Sequence, residues 1–224
     1  MIKLVAFDWN GTILADGAAS VRANNKIFPK LKLRPLTLRR YQETFDIPVA
    51  KYWQNVGLSK TAYRKHRDKI EKLYHLHYEK FAGHCRTRAG VKAALRWLKA
   101  HKIESIIYSN HIVPQIIKHF PRLDLEGYFN HVIARQPGDF SHLEERGKAQ
   151  KLAEFVLRHK LKPREVVSVG DTEEEMEIAN HYGYHSVAFA GGWNTVERLR
   201  RHNPNFWIHN MAELAGVIKG LNNW

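Results

Sequence analysis

The sequence has few of the features that mark secreted or membrane-spanning proteins. Cys85 is the only cysteine among 224 residues, so no disulfide can close within the chain. A lone cysteine is typical of a reducing compartment and predicts a cytoplasmic location. No apolar run approaches the ~20 residues that span a bilayer, and Asp8 interrupts the apolar start too early for a signal peptide. Neither a membrane protein nor a disulfide-rich secreted domain is expected.

Acidic residues are also in the minority. The chain holds 36 Lys and Arg against 22 Asp and Glu, a net charge of +14, and 44% of its residues are hydrophobic, enough for a real core. Most of the excess lies between Ala15 and Arg88, where 17 basic and 6 acidic residues give +11. Such a field favours anionic partners, whether phosphorylated metabolites, nucleic acid or an acidic membrane surface.

The hydrophobic pattern predicts an α/β fold with a helical insertion. After a first strand at 2–7, helical periodicity dominates from about 18 to 83, with Thr37 and Ser59 as N-caps. From Gly83 onward strands and helices alternate, which is typical of a Rossmann-like, doubly wound parallel sheet. The predicted strands are 103–108, 131–134, 166–169, 185–189 and 206–208. The predicted helices are 37–45, 49–56, 59–81, 89–101, 113–120, 146–159, 173–181, 195–201 and 211–219.

The same pattern predicts two units. The α/β core comprises residues 1–15 and 86–224, and a small, basic, all-helical unit at 16–85 is inserted after the first strand. Parallel sheets of this kind bind ligands beyond the carboxyl ends of their strands. That edge receives Asp8, Asn10 and Thr12 from the first strand, Ser109 and Asn110 from the second, and the acidic run 171–175 from a later one.

Carboxylates gathered at one sheet edge repel each other unless a cation lies between them. A hard divalent ion with oxygen ligands, Mg²⁺ in particular, would satisfy them and would also bridge a phosphate. Asp8 could then attack phosphorus, while Ser109 and nearby backbone N–H groups hold the transferring oxygens and a lysine neutralises the remaining charge.

The ordered set of segments VAFDWNGT, IIYSN, a lysine on a later helix, and VVSVGDTEEEMEIA resembles the haloacid dehalogenase superfamily. The closing segments AFAGGWNTVERL and PNFWIHNMAELAGVI resemble those of phosphoglycolate-phosphatase-like members, and the basic insertion resembles the family's type-one helical cap. The resemblance implies a Mg²⁺-dependent phosphatase that acts on a small anionic phosphorylated metabolite.

By this resemblance, each site residue has an expected role. Asp8 is the nucleophile and a metal ligand, with the Asn10 carbonyl as another. Asp171 ligates the metal, and Glu175 orients a metal-bound water, with Glu in place of the commoner Asp. The implied phosphate-binding residues are Ser109, Asn110 and Thr12, and Lys148 is the implied neutralising lysine, with Lys151 as its competitor.

Asn10 departs from the family pattern, which places a second Asp there to protonate the leaving group. An amide cannot donate that proton, and losing general acid–base help typically costs ~10²–10⁴-fold in rate. Three interpretations stay open: a substrate with a good leaving group, a proton from another group such as a cap histidine, or slow turnover by a protein that mainly binds.

Two other functions compete with the phosphatase. Phosphonoacetaldehyde-hydrolase-like C–P cleavage would need a cap lysine, such as Lys51 or Lys60, that forms a Schiff base. A weakened core with a nucleic-acid-binding cap would interleave aromatic rings with basic charge. The aromatic candidates are Tyr41, Tyr52, Trp53 and Tyr63. The basic residues that could instead form an anion funnel over the site are Arg39, Arg40, Lys51 and Arg64.

Overall fold

The computed structural model describes residues 1–139 and 147–224, and these form a parallel α/β fold. Six strands lie in the order β3-β2-β1-β4-β5-β6, and every neighbouring pair is parallel. Helices cover both faces, so the predicted Rossmann-like, doubly wound sheet is confirmed. The strands are β1 (Leu4–Phe7), β2 (Glu104–Ile112), β3 (His131–Arg135), β4 (Val166–Gly170), β5 (His185–Phe189) and β6 (Phe206–Ile208).

Strand β1 lies at the centre of the sheet because all four of its side chains are apolar and buried. Val5 and Phe7 point into the larger hydrophobic cluster on one face, and Leu4 and Ala6 point into another cluster on the opposite face. A strand buried on both faces needs a continuous apolar run rather than an alternating one, as residues 4–7 provide. The chain beyond Phe7 therefore emerges at the carboxyl edge of the sheet.

Helices connect the strands close to the predicted positions. Thr37 and Ser59 cap their helices as predicted, accepting hydrogen bonds from Arg40 N at 3.1 Å and Ala62 N at 3.2 Å. The helices are α1 (Gly17–Ile27), α2 (Leu38–Thr44), α3 (Val49–Asn55), α4 (Lys60–Ala82), α5 (Val91–Ala100), α6 (Val113–Ile117), α7 (Phe120–Leu123), α8 (Lys148–Arg158), α9 (Glu173–Tyr182), α10 (Val196–Arg200) and α11 (Leu214–Asn222).

Apart from shifts of one or two residues at other ends, three predicted elements differ from the structure. Strand β2 continues four residues beyond Tyr108, because the polar residues that follow stay extended and pair irregularly with β3. The helix predicted at 113–120 is two short helices, each with a proline in its first turn, where the missing N–H is tolerated. The predicted final helix begins as a 3₁₀ turn, Met211–Glu213. Arg146, the predicted start of the helix at 146–159, lies outside the described residues.

The segment between β1 and β2 contributes a second hydrophobic cluster. Its buried members come almost wholly from residues 27–70, joined by Trp193 from the core. The two connections to the sheet run side by side: Leu14 pairs with Thr87, and Ala15 N donates to Arg86 O at 2.9 Å. These contacts agree with a division near 15/16 and 85/86, which stays a prediction. Among the described residues, no helix is both long enough and apolar enough to cross a bilayer.

Candidate active site at the carboxyl edge of the sheet

The Asp8 and Asp171 side chains come together where β1 and β4 end side by side. Gly11, at φ 80°, lets the turn after Asp8 pass against Asp171, because a Cβ there would overlap the Asp171 carboxylate. A Cβ at Gly192 would overlap the same group. The Asp171 carboxylate therefore packs between the backbone at residues 11 and 192, which can approach it this closely only because both residues are glycine. Trp193 N donates a hydrogen bond to Asp171 Oδ2 at 2.5 Å.

Lys148 is the cation of this site. Its ammonium group lies 3.2 Å from Asp8 Oδ1 and 3.2 Å from Glu174 Oε2, and it also contacts Glu175 Oε1. The side chain is only 4% exposed although it carries a full charge. A buried ammonium is tolerated when carboxylates surround it, and these three carboxylates raise the pKa of Lys148 well above its usual range against the opposing effect of burial.

Carboxylates outnumber cations at this edge, which fits a hard divalent ion. Burial raises the pKa of Asp8 well above its ordinary value, with Lys148 opposing and Glu175 and Asp171 adding to the rise. Burial and the Glu175 charge raise the pKa of Asp171 to about 7. Both shifts mean that these acids are too poorly solvated and too close together to ionise without more positive charge. Asp8 and Asp171 supply the oxygen donors that Mg²⁺ prefers.

Glu175 and Thr12 already have partners inside the protein. Glu175 Oε2 accepts hydrogen bonds from Thr172 N at 2.8 Å and Thr172 Oγ1 at 2.6 Å, forming the capping box of α9, while its other oxygen faces Lys148. The Thr12 hydroxyl donates to Asp171 Oδ1. In this arrangement Glu175 and Thr12 hold Lys148 and Asp171 in place, and their predicted roles towards water and phosphate stay predictions.

Ser109 and Asn110 line a small cavity together with Asp8, Lys148 and Glu174. The Ser109 hydroxyl accepts a hydrogen bond from His111 N at 3.2 Å, and Asn110 Nδ2 donates to Glu174 Oε2 at 2.7 Å. Glu174 Oε1 is buried without a hydrogen-bond partner, which marks this cavity as the place of a missing donor or cation.

Asn10 is fixed by a buried carboxylate. Its Nδ2 donates to Asp16 Oδ2 at 2.7 Å and to Tyr78 Oη at 2.6 Å, and the Tyr78 hydroxyl donates to the same Asp16 oxygen at 2.5 Å. Asp16 Oδ1 accepts from Gly11 N at 2.8 Å and from Trp193 Nε1 at 2.9 Å. Burial raises the pKa of Asp16, and these donors oppose the rise. The amide at position 10 therefore matches its surroundings, since a carboxylate there would face Asp16.

A larger cavity adjoins Asn10 and Asn110. Cap aromatic residues form much of its wall, and Trp193 contributes from the core. Its charged or titratable lining comprises Glu71, His75, His111 and Arg135. The Arg135 side chain is 3% exposed and donates to the Asn110 carbonyl. This cavity is where the part of a ligand beyond its phosphate would lie.

Several predicted residues do not reach the site. Lys151 pairs with Asp139 at 3.0 Å, away from Asp8. Of the residues predicted for the anion funnel, Arg39 pairs with Glu43 and Lys51 with Asp46, at 2.6 and 2.7 Å. None of the four funnel residues lines either cavity in the described parts of the chain.

The four cap aromatic residues named for the competing nucleic-acid function are buried, which argues against that hypothesis. Each is no more than 3% exposed, because the rings pack on one another in the second hydrophobic cluster. They are Tyr41, Tyr52, Trp53 and Tyr63. Their contribution is therefore to the cap core and, for three of them, to the wall of the larger cavity.

Sequence reasoning missed Asp16, Tyr78 and Arg135, and it placed Glu174 at this edge only as one member of the acidic run 171–175. Asp16 and Tyr78 are 6 and 68 residues from Asn10 along the chain, so no local spacing connects them. Glu174 stands in a run of three glutamates, in which helical phase alone leaves the buried ones undecided. Only the run itself could have served as a signal.

Comparison with known proteins identifies a family of hydrolases that the chain matches. The family model described as haloacid dehalogenase-like hydrolase matches residues 5–189. A protein named "Putative pyrophosphatase PpaX", from Caldanaerobacter subterraneus subsp. tengcongensis, is 26% identical over 187 residues, or 83% of this chain and 74% of the relative.

Many solved structures share the fold, among them two whose descriptions mention a phosphorylated compound. One is described as a predicted phosphoglycolate phosphatase from Haemophilus somnus, with a TM-score of 0.73, 15% identity, and coverage of 97% of this chain and 98% of that one. The other is CbbY from Rhodobacter sphaeroides in complex with xylulose-(1,5)bisphosphate, with a TM-score of 0.69, 15% identity, and 96% coverage of both chains.

Proposed function

Because this chain belongs to the haloacid dehalogenase-like hydrolase family, we propose that it is a Mg²⁺-dependent phosphatase that hydrolyses a small anionic phosphorylated metabolite through a covalent phosphate on Asp8. The observation that carries the proposal is the placement of Asp8, a buried carboxylate at the end of β1, beside Lys148 and Asp171 and on the wall of the small cavity. The phosphatase names of the relatives agree with it.

In the first step, an Asp8 carboxylate oxygen attacks phosphorus and the bond from phosphorus to the leaving oxygen breaks. Lys148 neutralises charge on the transferring oxygens, and Ser109 orients them from the end of β2. In the second step, water attacks the same phosphorus, the bond to the Asp8 oxygen breaks, and phosphate leaves with the carboxylate regenerated. The bound Mg²⁺, held by Asp8, the Asn10 carbonyl and Asp171, would supply further charge neutralisation.

The leaving oxygen must depart without a proton from position 10. Asn10 has no acidic proton, and Asp16 behind it is fully buried and absent from the lining of both cavities. This arrangement favours substrates whose leaving group is already stable as an anion, such as an acyl phosphate or a phosphoanhydride. The pyrophosphatase name of the sequence relative is consistent with that class.

The other candidate functions have weaker support. C–P cleavage would need a cap lysine near Asp8, and in the described residues Lys148 alone among the lysines lines either cavity. Nucleic-acid binding would need exposed aromatic rings in the cap, and those rings are buried. A cytoplasmic location stays a prediction that rests on the single Cys85.

A phosphate-release screen tests the proposal. The substrates are acyl phosphates, pyrophosphate and sugar phosphates, each with Mg²⁺ or with EDTA. We expect Mg²⁺-dependent release by the wild type and by Asp68→Asn, whose carboxylate is 92% exposed, and none by Asp8→Asn. Equal release by Asp8→Asn, or release that EDTA leaves unchanged, would contradict the proposed chemistry.

A further inference from the structure

Two histidines and a glutamate meet where α4 lies against the end of β2. His75 and Glu79 are one turn apart on α4, so they share one helix face, and His111 comes from β2. One ligand atom from each of the three lies within 4.8 Å of the others. The rings of His75 and His111 are stacked with their centroids 6.0 Å apart.

The facing atoms of this cluster lack hydrogen bonds. His111 is 6% exposed, and its Nε2 lies 3.1 Å from Glu79 Oε1 without the alignment of a hydrogen bond. Both atoms, and His75 Nδ1, are buried without a hydrogen-bond partner. Because buried polar atoms are almost always satisfied, three such atoms in one cluster indicate a missing ligand.

The protonation states suit a cation. Burial lowers the pKa of His111 although Glu79 acts in the opposite direction, so the imidazole keeps a free lone pair at neutral pH. Burial alone would raise the pKa of Glu79, but its neighbours, among them the Lys118 ammonium group, outweigh that effect and lower the value to about 2. The cluster thus places two imidazole nitrogens and one carboxylate oxygen within 4.8 Å of one another.

The outer contacts resemble those that orient metal-binding residues. His75 Nε2 lies 2.8 Å from Glu71 Oε1, which leaves Nδ1 as the nitrogen without a partner. A ligating histidine commonly donates its other N–H to a carboxylate in this way. Lys118 Nζ holds the other Glu79 oxygen at 2.6 Å and so fixes the carboxylate.

We propose that His75, Glu79 and His111 bind a divalent transition-metal ion, with Zn²⁺ as the best match. Imidazole nitrogens suit Zn²⁺ and poorly suit Mg²⁺, and two histidines with one glutamate are a known zinc set that leaves a fourth position open. His75 and His111 line the larger cavity, so a ligand there can reach the ion. Because the ligands come from α4 and β2, the ion ties the inserted helices to the sheet.

Calorimetric titration of the full-length chain with Zn²⁺, in excess Mg²⁺, tests the proposal. We expect one Zn²⁺ per chain in the wild type, and at least ~100-fold weaker binding after Glu79→Gln or His111→Gln. Glu71→Gln should weaken binding by about 10–100-fold, as is usual when the carboxylate behind a ligating histidine is lost. His77→Gln, on the same helix but outside the cluster, should bind like the wild type.

Asp8→Asn and Asp171→Asn separate this site from the proposed phosphatase site, and both variants should keep the Zn²⁺ affinity of the wild type. Where His111→Gln does not fold, the visible absorption of bound Co²⁺ gives a second test, since Glu79→Gln should shift those bands and Asp171→Asn should not. Equal Zn²⁺ affinity in the wild type and Glu79→Gln, or loss of Zn²⁺ in Asp171→Asn, would overturn the proposal.

Discussion

The hydrogen bond from Asn10 to Asp16 predicts how position 10 responds to a carboxylate. We expect Asn10→Asp alone to destabilise the protein, because it brings two carboxylate oxygens to the 2.7 Å that now separates Asn10 Nδ2 from Asp16 Oδ2. The exchange Asn10→Asp with Asp16→Asn should be tolerated. The amide at position 16 can donate to the carboxylate at position 10, as can the Tyr78 hydroxyl, and Gly11 N and Trp193 Nε1 keep an oxygen to bind.

The expected loss of stability is set by the smaller of two free-energy costs, charge repulsion and protonation. Two unit charges 2.7 Å apart repel by about 6 kcal/mol at an effective dielectric constant of 20. Protonating one of the two carboxyl groups at pH 7, from a pKa near 4, costs about 4 kcal/mol. Protonation is the lower-energy route, so the single substitution should lower the free energy of unfolding by up to about 4 kcal/mol. The exchange should recover most of that loss.

Urea unfolding of the Mg²⁺-free proteins measures the stabilities, and turnover of a sugar phosphate and an acyl phosphate measures the chemistry. The exchange places a titratable group at position 10, so we expect it to raise kcat for the sugar phosphate by about 10²-fold and to change the acyl phosphate little. If Asn10→Asp alone were as stable as the wild type, or the exchange left the sugar phosphate rate unchanged, the reasoning would be wrong.

Three further predictions follow from single side chains. Lys148→Met should lower kcat by about 10²–10³-fold in a steady-state assay, because it removes the buried charge that faces phosphate. The control Lys151→Met breaks a surface ion pair and should change kcat little in the same assay. The pKa of His119 is lowered by burial to about 4, so the unfolded state binds more protons between pH 6.5 and 4 and the wild type loses stability as pH falls. Urea unfolding of His119→Gln should show about 3 kcal/mol less of that loss, and an unchanged slope would count against the prediction. Gly11→Ala should lower the thermal unfolding temperature, at a free-energy cost of about 2 kcal/mol or more, because residue 11 has a positive φ and a Cβ there overlaps the Asp171 carboxylate. Gly216 has open space around it, so Gly216→Ala should leave the unfolding temperature unchanged. Equal effects of the two substitutions would refute the argument.

The parallel sheet and the alternation of strands and helices along the chain could be predicted because they depend on local patterns. Val5 and Phe7 lie in an uninterrupted apolar run, which is the pattern of a strand with both faces buried. Parallel strands then bring residues that are far apart in sequence to one edge, so the meeting of Asp8 with Asp171 followed from topology alone. The same logic placed Ser109 on the small cavity.

The details of the site depend on tertiary contacts that sequence spacing does not encode. The partners of Asn10 come from a connection and from α4, and nothing near Asn10 in the sequence points to Tyr78. The sequence alone leaves open whether the cap aromatic residues are exposed or buried. The apolar face of a short amphipathic helix shows the same sequence pattern whether it binds a ligand at the surface or packs in a small core. Trp53 is only 2% exposed, so these rings pack in the core of the cap.

A covalent phosphate on Asp8 would test the central claim most directly. Acid quenching during turnover of an acyl phosphate with Mg²⁺, followed by peptide mass spectrometry, would locate the modified residue. The account predicts one phosphoryl group on the peptide that contains Asp8, and none on that peptide from Asp8→Asn or from wild-type protein quenched with EDTA. Steady turnover with an unmodified Asp8, or with phosphate on another residue, would contradict it.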